Sequence, residues 1–219
     1  TGKTVCMNQI LEQVRAKGQK AIVYDIKGAF VPAYYRPGKD IILNPLDERS
    51  PSWNLWKECV AVDDYQSLAN SLVQENTYQA DSFWLKAARM VLSSSLSKFS
   101  DNPDITAQEF LSRLFSMPMK KIEALLSETM ASHMVKQESE RMAYSVMASL
   151  ASDCQSLIYV KDDGKDNSFS IREWLRSDDD SWLFINSSLR RSENIKPIIS
   201  FWLDIAIKHF FDMPESRTR

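Results

Sequence analysis

Thr1-Gly2-Lys3-Thr4, the run Val5 to Lys17 behind it, and then Ala21-Ile22-Val23-Tyr24-Asp25 form the stretch that decides the fold. Gly-Lys-Thr is the tail of a phosphate-binding loop, whose fuller pattern is G-x-x-x-x-G-K-[ST]. Val5, Ile10, Leu11 and Val14 recur at near-helical spacing, so Val5 to Lys17 reads as a helix. Gly18 is a good stop for it. Ala21 to Tyr24 then reads as a buried strand that ends at Asp25. A loop entering a helix, followed by a buried strand, is the α/β arrangement that a phosphate loop requires. The unpaired N–H groups and dipole at such a helix start attract phosphate. Gly2 lets the backbone come close, and Thr1 contributes to the same loop. Lys3 would bridge the β- and γ-phosphates of ATP, with the Thr4 hydroxyl on Mg²⁺. The bland reading of the same residues is a surface Thr-Gly-Lys before an ordinary helix. The glycine of the fuller pattern would stand ahead of Thr1. The chain is therefore expected to be an internal piece of a longer ATPase, cut inside its nucleotide site and inactive alone.

The composition fits a globular protein of one large or two small domains. The chain has 219 residues, 44% of them hydrophobic and 26% charged. No apolar run approaches the roughly 18 residues of a membrane span. Cys6, Cys59 and Cys154 are far apart and lack metal-ligand spacing, so they read as reduced thiols. With only His133 and His209, a zinc or histidine-based site is not expected. His209, near the end of a predicted helix, reads as a packing or dipole residue. A net charge of −2 argues against a protein that coats nucleic acid generically. Lys120-Lys121 and Arg190-Arg191 are the candidate basic patches, or else solvated surface.

The order of elements is α/β, then all-α, then α/β again. Asp40 to Leu43 reads as a second strand, closed by Asn44-Pro45-Leu46-Asp47. From Asp63 to Val160 the pattern is helical. Asp64 is a candidate cap ahead of Tyr65, Leu68 and Leu72. Asp81 or Ser82 would cap a helix carrying Phe83, Ala87, Met90 and Val91. Thr106 and Glu109 form a capping box. Ile122, Leu125, Leu126 and Met130 make one amphipathic stripe, and Met142, Val146, Leu150, Cys154 and Leu157 a longer one. These stripes read as bundle core ahead of any ligand pocket. Ser170 and Glu173 form a second capping box. Trp182 to Asn186 reads as a buried strand ending in Ser187-Ser188. A last helix starts near Asn194, has Pro197 in its first turn and stops at Pro214. The arrangement predicts a nucleotide-binding α/β domain over 1–62, an inserted all-α domain over 63–160, and the α/β domain resuming over 161–219.

Several blocks together resemble the type IV secretion coupling proteins of the TraD type. They are Gly2-Lys3-Thr4, Val23-Tyr24-Asp25-Ile26-Lys27-Gly28, Ile42-Leu43-Asn44-Pro45-Leu46-Asp47 and Ser52-Trp53-Asn54-Leu55-Trp56-Lys57-Glu58-Cys59. Phe83-Trp84 with Ala88-Arg89, Phe169 to Trp174, Trp182 to Ile185, and Lys196-Pro197 leading to Ile205-Ala206-Ile207 agree in the same order. The resemblance implies a partial RecA-like P-loop NTPase core with an inserted all-α domain. It also implies a homo-hexameric ring anchored at the cytoplasmic face of the bacterial inner membrane. ATP and Mg²⁺ would drive single-stranded DNA, delivered by relaxosome proteins, into a type IV secretion channel. The family's anchor would precede Thr1, and its Walker B strand with the catalytic acids would follow Arg219. One departure stands out: family members often carry an acidic residue where this chain has Ala29. Asp25 and Lys27 sit at the carboxyl end of a strand, where ligands collect in α/β sheets. They either line the nucleotide or subunit interface, or Asp25 starts a turn and Lys27 is solvated.

Three functions compete on this reading. The leading one is an ATP-driven DNA translocase coupling a DNA–relaxase complex to a secretion channel. The second is an adaptor whose helical segment recruits relaxosome or protein cargo, with ATPase activity secondary. The third, a chromosomal DNA translocase of the same ATPase class, is disfavoured by the Asn44-Pro45 and Trp53-Asn54 blocks.

Overall fold

The computed structural model describes residues 2–75, 82–102, 104–136, 140–164, 167–187 and 192–212. Asp81, Ser188, Arg190-Arg191 and Pro214 lie outside the described residues. Helix α1 (Gly2–Ala16) leads through a turn at Gly18 into strand β1 (Ala21–Asp25). Gly18 has φ of +63°, the left-handed conformation a helix stop needs. The short helix α2 (Val31–Tyr34) and strand β2 (Ile41–Leu43) follow, so β2 begins one residue later than the apolar run from Asp40 suggests. Strand β3 (Trp182–Asn186) returns after the helical segment and inserts between the other two. The sheet order is β1-β3-β2 with all pairs parallel, Ala21 opposite Trp182, Asp25 opposite Asn186, and Leu43 opposite Ile185.

Every residue of β3 is buried, as expected of a central parallel strand covered on both faces. Its alternation divides the core in two. Trp182 and Phe184 join Val23, Ile42, Leu11 and Val31 on the face covered by α1 and α2. Leu183 and Ile185 point the other way, into the larger core shared with the helices. That core is continuous from the sheet through the helical segment, including Trp53, Leu68, Val91, Phe110, Leu150 and Trp202.

Between β2 and β3 run α3 (Leu55–Glu58), α4 (Val62–Leu72), α5 (Ser82–Phe99), α6 (Ala107–Ser116), α7 (Met119–Leu126) and α8 (Glu140–Asp153), with 3₁₀ turns at Met130–Met134 and Cys154–Tyr159. Helices α9 (Ile171–Arg176) and α10 (Ser192–Asp212) flank β3 in the sequence. The Thr106–Glu109 capping box forms: Thr106 Oγ1 accepts from the Glu109 amide at 3.1 Å, and the Glu109 carboxylate accepts from the Thr106 amide at 2.9 Å.

Some local expectations change. Asp64 is inside α4, not its cap: its carboxylate reaches back to the amides of Val60 (3.1 Å) and Ala61 (3.0 Å). The α1 stripe is only partly used, since Leu11 is buried while Val5 and Ile10 are about half exposed. Met130 is 81% exposed and so leaves the stripe that Ile122 and Leu126 continue inward. The long stripe ending at Leu157 is two elements, α8 and then a 3₁₀ turn. Helix α10 starts at Ser192, which puts Pro197 in its second turn.

Two chain crossings join the helical segment to the sheet, and they are tied together. Trp53 bridges Phe169 in parallel, the Trp53 amide donates to Lys161 O (2.8 Å), and the Phe169 amide donates to Ser52 O (2.7 Å). The fully buried Glu58 carboxylate completes the joint. It accepts from Trp53 Nε1 (3.0 Å), the Ile171 amide (2.9 Å) and the Arg172 amide (3.0 Å). Ser170 caps α9 as expected, accepting from the Glu173 amide at 3.3 Å, while Glu58 takes the other first-turn amides. Burial pushes the Glu58 carboxyl above its usual range, against the pull of these donors.

Candidate functional site

Helix α1 is oriented by its carboxyl end. Trp182 Nε1 donates to Gln19 O (2.9 Å), which fixes the α1–β1 turn at the amino-terminal edge of the sheet. Fifteen helical residues span about 22 Å. Five strand residues span about 16 Å. The start of α1 therefore reaches past the carboxyl edge of the sheet, the edge where open α/β folds hold ligands. Tyr34 Oη of α2 steadies it midway, donating to Asn8 O at 3.2 Å.

Gly2, Lys3 and Thr4 occupy the first turn and are all exposed. Thr1 lies outside the described residues. No acidic side chain stands in that first turn, so nothing there offsets the positive helix end. A Cβ placed on Gly2 would meet nothing within 4 Å, which leaves room for a bulky anion against the backbone. A helix start with no acid in its first turn, an exposed ammonium and a neighbouring hydroxyl fit a polyphosphate with its magnesium ion. Lys3 would take the phosphate charge and Thr4 the metal.

Among the described residues, Asp25 bonds the turn that follows it and not the first turn of α1, and Lys27 stands apart from it. Asp25 is buried and both its oxygens hold the following turn: Oδ1 accepts from the Ala29 amide (2.9 Å), Oδ2 from the amides of Phe30 (2.6 Å) and Val31 (3.4 Å). Gly28, at φ +65°, lets the chain double back over the carboxylate. Lys27 is exposed. The geometry thus favours the turn-starting reading of Asp25. It also places Ala29, where the family often has an acid, with its amide on Asp25.

Sequence reasoning missed the residues beside this turn. A cleft of about 400 Å³ opens at the same edge, lined by Gly28, Val31, Pro32, Tyr35, Arg49 and Asn186. Arg49 Nε and Nη2 form a two-pronged pair with Asp47 (2.9 and 2.7 Å), which holds the Asp47 carboxyl below its usual range. Asn186 ends β3 and is 6% exposed, yet its Oδ1 has no hydrogen-bond partner among the described residues. The only sequence signal was a polar residue closing an apolar strand.

The opposite edge is a closed charge network. Asp40, with no side-chain exposure, accepts from Arg15 Nη2 (2.8 Å), Arg36 Nη2 (2.9 Å), the Arg36 amide (2.8 Å) and the Trp182 amide (2.8 Å). Burial alone would raise its pKa. The Arg36 bond, the Trp182 amide and Arg15 overcome that and hold it below the usual value. The Arg15 guanidinium also lies 3.6 Å from the Trp182 ring centre. A second network joins α4, α9 and α10, with Asp64 between Arg172 Nη2 (3.1 Å) and Lys208 Nζ (2.7 Å). His209 Nε2 accepts from Arg172 Nε at 3.0 Å, in keeping with a packing role, and burial followed by Arg172 lowers its pKa. Lys120 and Lys121 are exposed in the first turn of α7.

A parallel sheet with a Gly-Lys-Thr helix start at its carboxyl edge, and a helical segment between its second and third strands in sequence, is a partial RecA-like phosphate-loop core carrying a helical insertion. The chain belongs to the type IV secretion-system coupling proteins: the family model for their DNA-binding domain matches residues 1–219. It is 32% identical over 223 residues to the coupling protein TraD of Escherichia coli (strain K12), covering 100% of this chain and 31% of TraD. Among solved structures it is similar to the bacterial conjugative coupling protein TrwB in complex with sulphate, with a TM-score of 0.81 and 24% identity. TrwB with the non-hydrolysable ATP analogue ADPNP, and with ADP and Mg²⁺, each give a TM-score of 0.82 at 24% identity. These matches cover 100% of this chain and 52% of the TrwB chain. The chain thus spans about a third of TraD and about half of the TrwB structures.

Proposed function

We propose that this chain forms part of the motor of a conjugative coupling protein, which uses ATP and Mg²⁺ to move single-stranded DNA into a type IV secretion channel. The observation that carries the reading is the exposed Gly2-Lys3-Thr4 turn, with no acid within that turn, at the carboxyl edge of a parallel sheet in a chain of this family. Relatives of the same fold in complex with ADPNP and with ADP and Mg²⁺ support the ligand. Hydrolysis of bound ATP supplies the free energy for movement. The α1 amides and Lys3 hold and orient the phosphates, and the Thr4 hydroxyl fixes the metal against them. Nucleotide-binding parts over 1–62 and 161–219 flank an all-α domain over 63–160. In the whole protein this assembly is a homo-hexameric ring at the cytoplasmic face of the inner membrane, fed by relaxosome proteins. Contact with DNA through phosphates makes movement tolerant of sequence and sensitive to salt.

The test is Lys3→Ala in the full-length protein. ATP turnover and DNA transfer are expected to be lost while the urea midpoint stays unchanged, because the Lys3 side chain is exposed. Normal turnover by the variant would overturn the site assignment.

A further inference from the structure

The last buried apolar residues of α10 are Ile205 and Ala206. Beyond them Ile207, Phe210 and Phe211 are each more than half exposed, so apolar packing does little for the final turn. Polar side chains hold it instead. Lys208 Nζ reaches Asp64 Oδ1 at 2.7 Å and also pairs with Asp63. His209 Nε2 accepts from Arg172 Nε at 3.0 Å, and the His209 side chain is 11% exposed. Arg172 is the hub of this arrangement. Its amide donates to the Glu58 carboxylate of the joint (3.0 Å), its Nη2 donates to Asp64 (3.1 Å), and its Nε serves His209. The bond to His209 thus ties the end of α10 to the joint between the helical segment and the sheet.

That bond sets a condition on the imidazole. An arginine Nε has a hydrogen to give and nothing to accept with. Nε2 must therefore carry a lone pair, and the ring's one proton sits on Nδ1, 4.0 Å from Asp212 Oδ2. A second proton would make Nε2 a donor facing a donor and set a positive ring against a guanidinium. The surrounding charges do not rescue that state. Arg172 from α9 and Lys208 from α10 oppose it. Asp64 from α4 favours it, but is already shared among Arg172, Lys208 and the amides of Val60 and Ala61. Asp63 is engaged by Lys208, and Glu58 by the Trp53 indole and the amides of Ile171 and Arg172. Asp212 is 70% exposed and so screened by solvent. Glu173 and Arg176 of α9 are exposed. The 3₁₀ turn Cys154–Tyr159 and strand β3 also pack on α10, and neither contains a carboxylate, an imidazole or a cation. The negative end of α10 favours a charged ring. Burial and then Arg172 outweigh it and lower the His209 pKa. We propose that His209 is a proton-operated latch: neutral, it fastens the last turn of α10 to Arg172, and protonated, it lets that turn go. The inference does not depend on the reading of Lys3.

The experiment follows amide hydrogen exchange over residues 208–212 in the full-length protein by mass spectrometry, corrected for the intrinsic pH dependence of exchange. Because the folded pKa is lowered, the hold is complete above about pH 6.5 and is lost as pH falls through the folded value. In the wild type, protection is expected to fall about tenfold between about pH 7.5 and pH 5, the worth of one hydrogen bond from a charged donor. That window lies above the range in which Asp63, Asp64 and Asp212 titrate. His209→Gln offers Arg172 an amide oxygen that takes no proton, and is expected to keep its protection across the window. His209→Ala offers no acceptor, and is expected to be poorly protected at both ends of it. Exchange at the imidazole C2–H reports the titration of the ring itself in the unsubstituted protein. Its midpoint is expected below about 6.5 and together with the loss of protection. An equal loss in His209→Gln, no loss in the wild type, or a ring midpoint apart from that of the loss would each overturn the latch. None of these outcomes touches the proposed function, which rests on turnover in Lys3→Ala.

Discussion

At one edge of the three-stranded sheet, Asp40 is sealed between two guanidiniums and a strand amide; at the other, Lys3 is exposed and a buried amide oxygen has no partner among the described residues. The two edges belong to the same strands and differ in what they have been spent on. The amino edge carries stability: Arg15 ties α1, Arg36 ties the β1–β2 connection, and the Trp182 amide ties β3, all on one carboxylate. The carboxyl edge instead leaves Lys3 exposed and one buried acceptor unpaired among the described residues, at a cost in stability that the opposite edge helps offset.

The contrast can be broken most severely at Asp40. Asp40→Ala strands two guanidiniums and the Trp182 amide and should lower the unfolding free energy by about 3 kcal/mol, read from urea midpoints at neutral pH. A loss under about 1 kcal/mol would mean that the network is not what holds that edge.

Acid gives a graded version of the same test. The Asp40 pKa lies below its unfolded value in the folded protein, so its contribution is fully present at neutral pH. It fades as pH falls below about 4 and through the depressed folded value. The urea midpoint of the wild type should therefore fall more steeply between about pH 4 and pH 2 than that of Asp40→Ala. Parallel slopes would remove Asp40 from the acid transition.

The smallest expected effect has the opposite sign. Asn186→Leu removes a buried acceptor that folding leaves unpaired, and should raise stability by about 1 kcal/mol. A loss of similar size would show that Asn186 serves the carboxyl edge as a structural residue, and the contrast between the edges would weaken.

The elements at both edges were legible in the sequence because their signals are local. Apolar runs bounded by Gly18 and by Asp25 or Ser187 fix β1 and β3, and Thr106 with Glu109 fixes a helix start within four residues. Gly2-Lys3-Thr4 was readable for the same reason. The sequence could not show which distant residues would meet. Arg15 finds Asp40 across 25 positions, and Glu58 finds the Ile171 amide across 113. The Ser170–Glu173 capping box was half right: Ser170 Oγ accepts from the Glu173 amide, while the next two first-turn amides, of Ile171 and Arg172, go to Glu58 from that distance. Asp64 was read as a cap because its draw toward Arg172 and Lys208 depends on helices far along the chain. The cleft was invisible for a related reason: its walls come from the β1–β2 connection, the segment after β2 and the end of β3, and the apolar pattern of each predicts only core or turn.

The double crossing at Trp53 and Phe169 has a mechanical consequence. A helical insertion hung from two independent strands would swing about either of them as about a hinge. Here the two strands are laced by backbone bonds and pinned by the Glu58 carboxylate, so they deflect as one stiff neck. A pull on the helices is divided between both strands and delivered to the sheet through β2 and α9 together, which makes the insertion a lever on the sheet and not a tethered weight.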